Sequence, residues 1–168
     1  IAKVKGDKSM GKGKYFYSKG EGNDGYIKNL EVLGYCDLDG KAGMFQMALY
    51  RTEAGRYLLY GAAFAAGPDG VGIMISDVTD PRNPVFIRKW LPFDVDEYPT
   101  TSIPKVQIAD DKLVFALTSG SGPSVLVGDR AKMKSLQGIM VYDLKKDPEN
   151  PEFLGYWDCG VPYSMGVH

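Results

Sequence analysis

Histidine and cysteine are scarce. The 168-residue sequence holds one histidine, His168, and two cysteines, Cys36 and Cys159. Two cysteines this far apart, with no C-x-x-C spacing, exclude a disulfide scaffold and a cysteine-rich zinc site. They read as unbridged, partly buried thiols and leave the compartment open. No charge of one sign dominates either. The chain has 20 Lys+Arg against 21 Asp+Glu, a formal net charge of −1. General nucleic-acid binding, which needs a surplus of cations to neutralise phosphates, is therefore not expected. Long apolar runs are missing too. The longest, Leu58 to Ala66, carries Tyr60 and Gly61 and falls well short of the ~18 residues that span a bilayer.

What is abundant is turn and aromatic chemistry: 21 Gly, 10 Pro and 11 Tyr. That composition argues against a helical bundle. Hydrophobic residues at 44% and charged residues at 24% suit a globular domain rather than a disordered chain.

An internal repeat decides the architecture. Gly72-Ile-Met-Ile-Ser-Asp77-Val-Thr-Asp-Pro81-Arg-Asn-Pro84-Val-Phe-Ile-Arg-Lys-Trp90 recurs as Gly138-Ile-Met-Val-Tyr-Asp143-Leu-Lys-Lys-Asp-Pro148-Glu-Asn-Pro151-Glu-Phe-Leu-Gly-Tyr-Trp157. The second copy has one extra residue before Asp147. The apolar runs after Gly72 and Gly138 are of strand type. Asp77 and Asp143 suit strand ends, because a carboxylate there can accept N–H groups of the turn. Pro81, Pro84, Pro148 and Pro151 forbid helix and ladder pairing, so each Pro-x-Asn-Pro reads as a rigid connector.

Weaker matches extend the unit. Leu30 to Tyr35 matches Pro151 to Tyr156, and Phe45-Gln46-Met47-Ala48 matches Val106-Gln107-Ile108-Ala109. Each unit is then four short antiparallel strands. The expected units run from about 30 to 78 and from about 85 to 144, with a third opening at 152 and stopping at 168. Residues 1–29 form a separate arm or part of a degenerate preceding unit.

This pattern resembles the LVIVD repeat of bacterial β-propeller proteins. The resemblance implies an all-β fold, a β-propeller of four-stranded blades, present here as an incomplete ring. It also implies an exported or envelope-associated protein, periplasmic or secreted. Family members often carry His after the first strand of a blade. His168 stands at that place, whereas the second unit has Ser102-Ile103-Pro104. A propeller needs about 4–8 blades. The chain is therefore expected to be a segment of a longer polypeptide, or to be completed by further chains. Its start at Ile1 rather than Met fits a processed chain or a fragment.

Chemistry-bearing motifs are few. No Gly-x-Ser-x-Gly elbow exists, so no serine triad and no catalytic residue is assigned. Gly120 to Ser124 lacks the Lys-Ser/Thr of a phosphate loop. Asp37-Leu-Asp39-Gly40 lacks the further acidic ligands of a calcium loop and reads as a turn. Asp94-Val-Asp96-Glu97 reads as a solvated acidic loop, with a cation or basic partner as the alternative. His168 reads as a structural or channel-lining residue, with a metal ligand, for an ion held with help from blades outside this chain, as the alternative. Gln46 and Gln107 are candidate polar residues near a channel, where they would satisfy backbone groups. Lys3, Lys5, Lys8, Lys12, Lys14 and Lys19, interleaved with Tyr15, Phe16 and Tyr17, give the arm a basic, aromatic surface that reads as a solvated terminus, with an acidic partner or anionic lipid as the alternative.

Three functions follow. The first is a non-catalytic binding or scaffolding module whose partners are proteins or further blades. The second is a metal-dependent propeller enzyme, similar to the selenium-binding and methanethiol-oxidising propellers. The third is a carbohydrate- or cell-surface-binding module.

Overall fold

The structure, a computed structural model, describes residues 33–40, 44–64, 70–119 and 134–160. It is all-β. Among the described residues eight strands follow one another: β1 (Gln46–Arg51), β2 (Tyr57–Phe64), β3 (Val71–Asp77), β4 (Val85–Trp90), β5 (Thr101–Ala109), β6 (Lys112–Ser119), β7 (Gly138–Asp143) and β8 (Glu152–Asp158). They form two four-stranded sheets in sequence order, β1-β2-β3-β4 and β5-β6-β7-β8. All six pairings are antiparallel. Among the described residues no helix is long and apolar enough to cross a membrane.

The sheets are phased one strand later than the sequence repeat suggests. Val85–Trp90 closes the first sheet instead of opening the second, and Glu152–Asp158 closes the second instead of starting a third. The cause is the turn at Asp80-Pro81-Arg82-Asn83. The Asn83 amide donates to the Asp80 carbonyl at 3.0 Å, the bond of a β-turn with Asp at its first position and Pro at its second, where each is favoured. The chain therefore reverses, and β4 pairs back onto β3. Asp147 to Asn150 repeats the bond at 3.2 Å. The first strand expected at 30–35 is also absent where it is described: residues 33–37 form no strand.

The repeat glycines sit where the backbone demands them. Gly72 has φ 138° and Gly138 has φ 122°, a region L residues rarely adopt. Each lies at the start of a central strand, one residue before the isoleucine that pairs with the repeat tryptophan of the neighbouring strand. A Cβ on Gly138 would overlap the Trp157 carbonyl oxygen, and one on Gly72 would stand 3.1 Å from that of Trp90. The β5–β6 turn uses Asp110 (φ 47°) and Asp111 (φ 61°), the left-handed pair of a two-residue hairpin loop.

One core lies between the sheets. Tyr60, Ile73 and Ile75 of the first pack against Val106, Phe115 and Tyr142 of the second. Trp90 stands edge-on to Tyr142 at 4.7 Å, and Phe115 stacks on Tyr142 at 5.5 Å. A smaller cluster covers the opposite face of the first sheet: Leu38 lies with Ala63 and Met74, flanked by Cys36, Met44 and Phe86.

Candidate functional site

The faces of the two sheets are used asymmetrically. Asp77 lies opposite Leu58 in the first sheet, and Asp143 opposite Lys112 in the second. Counting from those pairs, Tyr60, Ile73 and Ile75 correspond to Val114, Ile139 and Val141. Likewise Gly61, Met74 and Ser76 correspond to Phe115, Met140 and Tyr142. The first sheet meets its neighbour with the Tyr60 face, while the second meets it with the Phe115 face. The packing is head to tail. Each sheet has a leading face and a trailing face, and a leading face sits on a trailing one.

A polar seam holds this contact. The Gln46 side-chain carbonyl accepts from the Val106 amide at 3.2 Å. The Tyr50 hydroxyl donates to Asp111 at 3.0 Å. The Tyr60 hydroxyl donates to the Pro148 carbonyl at 2.5 Å. Arg88 bonds the Asn150 side chain. Arg56 spans the seam, pairing with Asp77 at 2.9 Å and with Glu149 at 2.8 Å. From the other side, the Tyr142 hydroxyl donates to the Pro92 carbonyl at 3.0 Å. The second Asp-Pro-Glu-Asn turn is thus gripped by Tyr60, Arg56 and Arg88. Burial and the Asp111 carboxylate push the Tyr50 phenol up to about 12, burial raises Tyr142 to about 12, and burial raises Tyr60 as well.

The strand-end carboxylates serve the turns. Asp77 accepts from the Thr79 amide at 2.9 Å and Asp143 from the Lys145 amide at 2.7 Å. Each also takes a cation from the preceding hairpin, Arg56 for Asp77 and Lys112 at 2.6 Å for Asp143. Burial pulls the Asp77 carboxyl upward, but its bonds to Thr79 and Arg56 outweigh that and hold it below the usual range. Lys112 does the same for Asp143.

The sequence reading missed a second pair of carboxylates. Asp80 accepts from the Arg82 amide and the Asn83 side chain at 2.9 and 2.6 Å. Asp147 accepts from the Glu149 amide and the Asn150 side chain at 3.1 and 3.0 Å. Both carboxyls are lowered, chiefly by their asparagines. The signal was the Asn that recurs three residues after each Asp.

The two glutamines do not occupy matching places. Gln46 lies opposite Ala62, and Gln107 opposite Val114, two residues out of step. Gln46 is half-buried on a backbone amide, whereas Gln107 is exposed. A shallow depression beside Gln107 is lined also by Lys105 and Val114. Ser102 and Ile103 are fully buried in β5. The Thr101 hydroxyl next to them accepts from the Leu136 amide at 2.8 Å.

Two carboxylates of the acidic loop are engaged, one within the loop and one by a lysine from outside it. Asp94 accepts from the Asp96 and Glu97 amides at 2.9 and 3.2 Å, and Glu97 pairs with Lys134 at 3.1 Å. Asp37 accepts from the Asp39 amide at 3.1 Å within a tight turn. Among the described residues no three His, Cys, Asp or Glu side chains gather as a metal site. Cys36 and Cys159 are not joined in a disulfide. His168, the Lys-rich arm with its aromatics, and Gly120 to Ser124 lie outside the described residues. No family model, no curated protein and no solved structure matches the chain.

Proposed function

We propose that the chain is a section of a β-propeller of the LVIVD-repeat kind, working as a non-catalytic binding and scaffolding module. The observation that carries this reading is the head-to-tail packing of two four-stranded sheets built from one repeat. A contact in which unlike faces meet does not satisfy itself. It generates either a closed ring or an open filament, and a ring of four-stranded sheets is a propeller. The polar side chains at the seam are spent on turns and on the neighbouring sheet, which is the chemistry of assembly. Electron microscopy of the native assembly should show an annulus with a central channel, recovered with a stoichiometric partner. A native protein that is neither assembled nor bound to a partner would overturn the scaffolding role.

A further inference from the structure

We infer that the leading face of the second sheet is a docking surface for the trailing face of the first sheet in a second copy of this chain. The inference rests on the head-to-tail reading above and adds the occupant. At the sheet–sheet contact Tyr60, Ile73 and Ile75 are fully buried. The matching residues of the second sheet, Val114, Ile139 and Val141, are only half-buried. Beside them Trp157, opposite Ile139, is 62% exposed. An apolar surface of the same composition, at the same places in the same repeat, thus lacks the cover that its counterpart has.

The complementary surface is on the same molecule. Val106 and Ile108 of β5 pack the trailing face of the second sheet onto the first sheet. Their counterparts in β1 are Met47 and Leu49, which lie opposite Gly61 and Leu59 and are each 55% exposed. Ser76 takes the place of Tyr142 on that trailing face. Its hydroxyl is buried with no hydrogen-bond partner among the described residues, whereas Tyr142 donates to the Pro92 carbonyl in the connection between β4 and β5. The leading face of the second sheet lacks a trailing partner, and the trailing face of the first, covered over Ala63 and Met74 by Leu38, Cys36 and Met44, is left apolar and exposed at Met47 and Leu49. The contact inside the molecule shows how such faces fit. A copy of this chain offers both, so the interface continues one already built rather than requiring new chemistry.

The test uses the full chain in two variants, each blocking one face. Val141→Lys places a charge on the leading face, and Leu49→Lys places one on the trailing face. Burying an unpaired ammonium in an apolar contact costs enough to weaken association at least tenfold. Light scattering should show concentration-dependent assembly of the wild type and a monomer for either variant alone. The 1:1 mixture should form a dimer and nothing larger, because one intact face of each kind remains. If Val141→Lys fails to fold, Trp157→Ala probes the same face at an exposed position. A monomeric wild type overturns the inference, as does a variant that still assembles alone. Hydrogen exchange separates the two failures. A monomer with protected β2 and β6 amides sinks the second copy as occupant and leaves the sheet packing intact. A monomer whose β2 and β6 amides exchange freely sinks the packing from which both readings are drawn.

Discussion

Replacing glycines by alanine gives a graded test, because three strand glycines meet different surroundings. Gly138 has φ 122°, and its Cβ would overlap the Trp157 carbonyl of the neighbouring strand. The strained backbone costs about 1–3 kcal/mol. Forcing β8 to move adds about 1–3 kcal/mol, as overpacking does. Gly138→Ala should therefore destabilise by about 2–6 kcal/mol. Gly72 has φ 138°, but the nearest atom to a new Cβ is the flexible Lys89 Cε at 2.8 Å, with the Trp90 carbonyl at 3.1 Å. Gly72→Ala should cost only the backbone part, about 1–3 kcal/mol. Gly155 sits in β8 with open space around its Cα. Gly155→Ala should be neutral or stabilise by up to about 1 kcal/mol, since glycine weakens a strand. Urea titration followed by far-ultraviolet circular dichroism reads all three. With a slope of about 2 kcal/mol/M, the Gly138→Ala midpoint falls by about 1–3 M. The reasoning fails if Gly138→Ala lies within about 0.5 kcal/mol of wild type, or if Gly72→Ala is the more damaged of the two.

The other predictions concern the seam and its titration. Tyr60→Phe leaves the Pro148 carbonyl without its donor and should cost about 1–2 kcal/mol; an unchanged urea midpoint would show that the bond contributes nothing. Asp77, Asp80, Asp143 and Asp147 all have lowered pKa values. Their contribution is complete above the unfolded value of ~4 and is lost as pH falls through the lower folded values. The thermal midpoint should hold steady from pH 7 to about 5 and drop below about pH 4; an even midpoint down to pH 2.5 refutes it. Tyr50 and Tyr142 have values raised to about 12. Their stabilisation is complete below the unfolded value of ~10 and is lost as pH rises toward the folded one. Phenolate absorbance should therefore lag behind that of a free tyrosine until the fold opens, and simple titration at the free value would contradict the burial.

The repeat was legible because its residues act locally. A glycine forced to positive φ, an aspartate ending a strand and an Asp-Pro-x-Asn turn each draw their reason from a few neighbouring residues, so a periodic spelling survives. The grouping of strands was not legible. Val85 to Trp90 has the composition of a strand whichever sheet receives it, and only the turn bond from Asn83 to Asp80 decides that it folds back. Aligning Gln46 with Gln107 failed for a related reason. The hairpin before β2 spans Thr52 to Arg56, while that before β6 is only Asp110-Asp111, so spelling and pairing register drift apart by two. Contacts reaching between units, such as Tyr60 to Pro148, leave no periodic trace, since Val114 stands where a second Tyr60 would be.

The segment before β1 obeys the same packing rule without forming a strand where it is described. Gly34 lies so close to the turn at Pro81 and Arg82 that a Cβ would overlap the Pro81 carbonyl. That is the relation of Arg88 to the turn at Asn150 in the next sheet. Cys36, Leu38 and Met44 then cover Ala63 and Met74 of the first sheet, as Trp90 and Phe93 join the core against the second. The matching spelling, Leu33-Gly34-Tyr35 beside Leu154-Gly155-Tyr156, is therefore a likeness of position as well as of letters. Residues 33–40 and Met44 stand to the first sheet as residues 88–95 stand to the second. A contact made twice in one chain, from unlike sequences at matching places, is a property of the repeat. The trailing face was shaped to receive what precedes it, and where that cover stops, at Met47 and Leu49, the apolar surface begins.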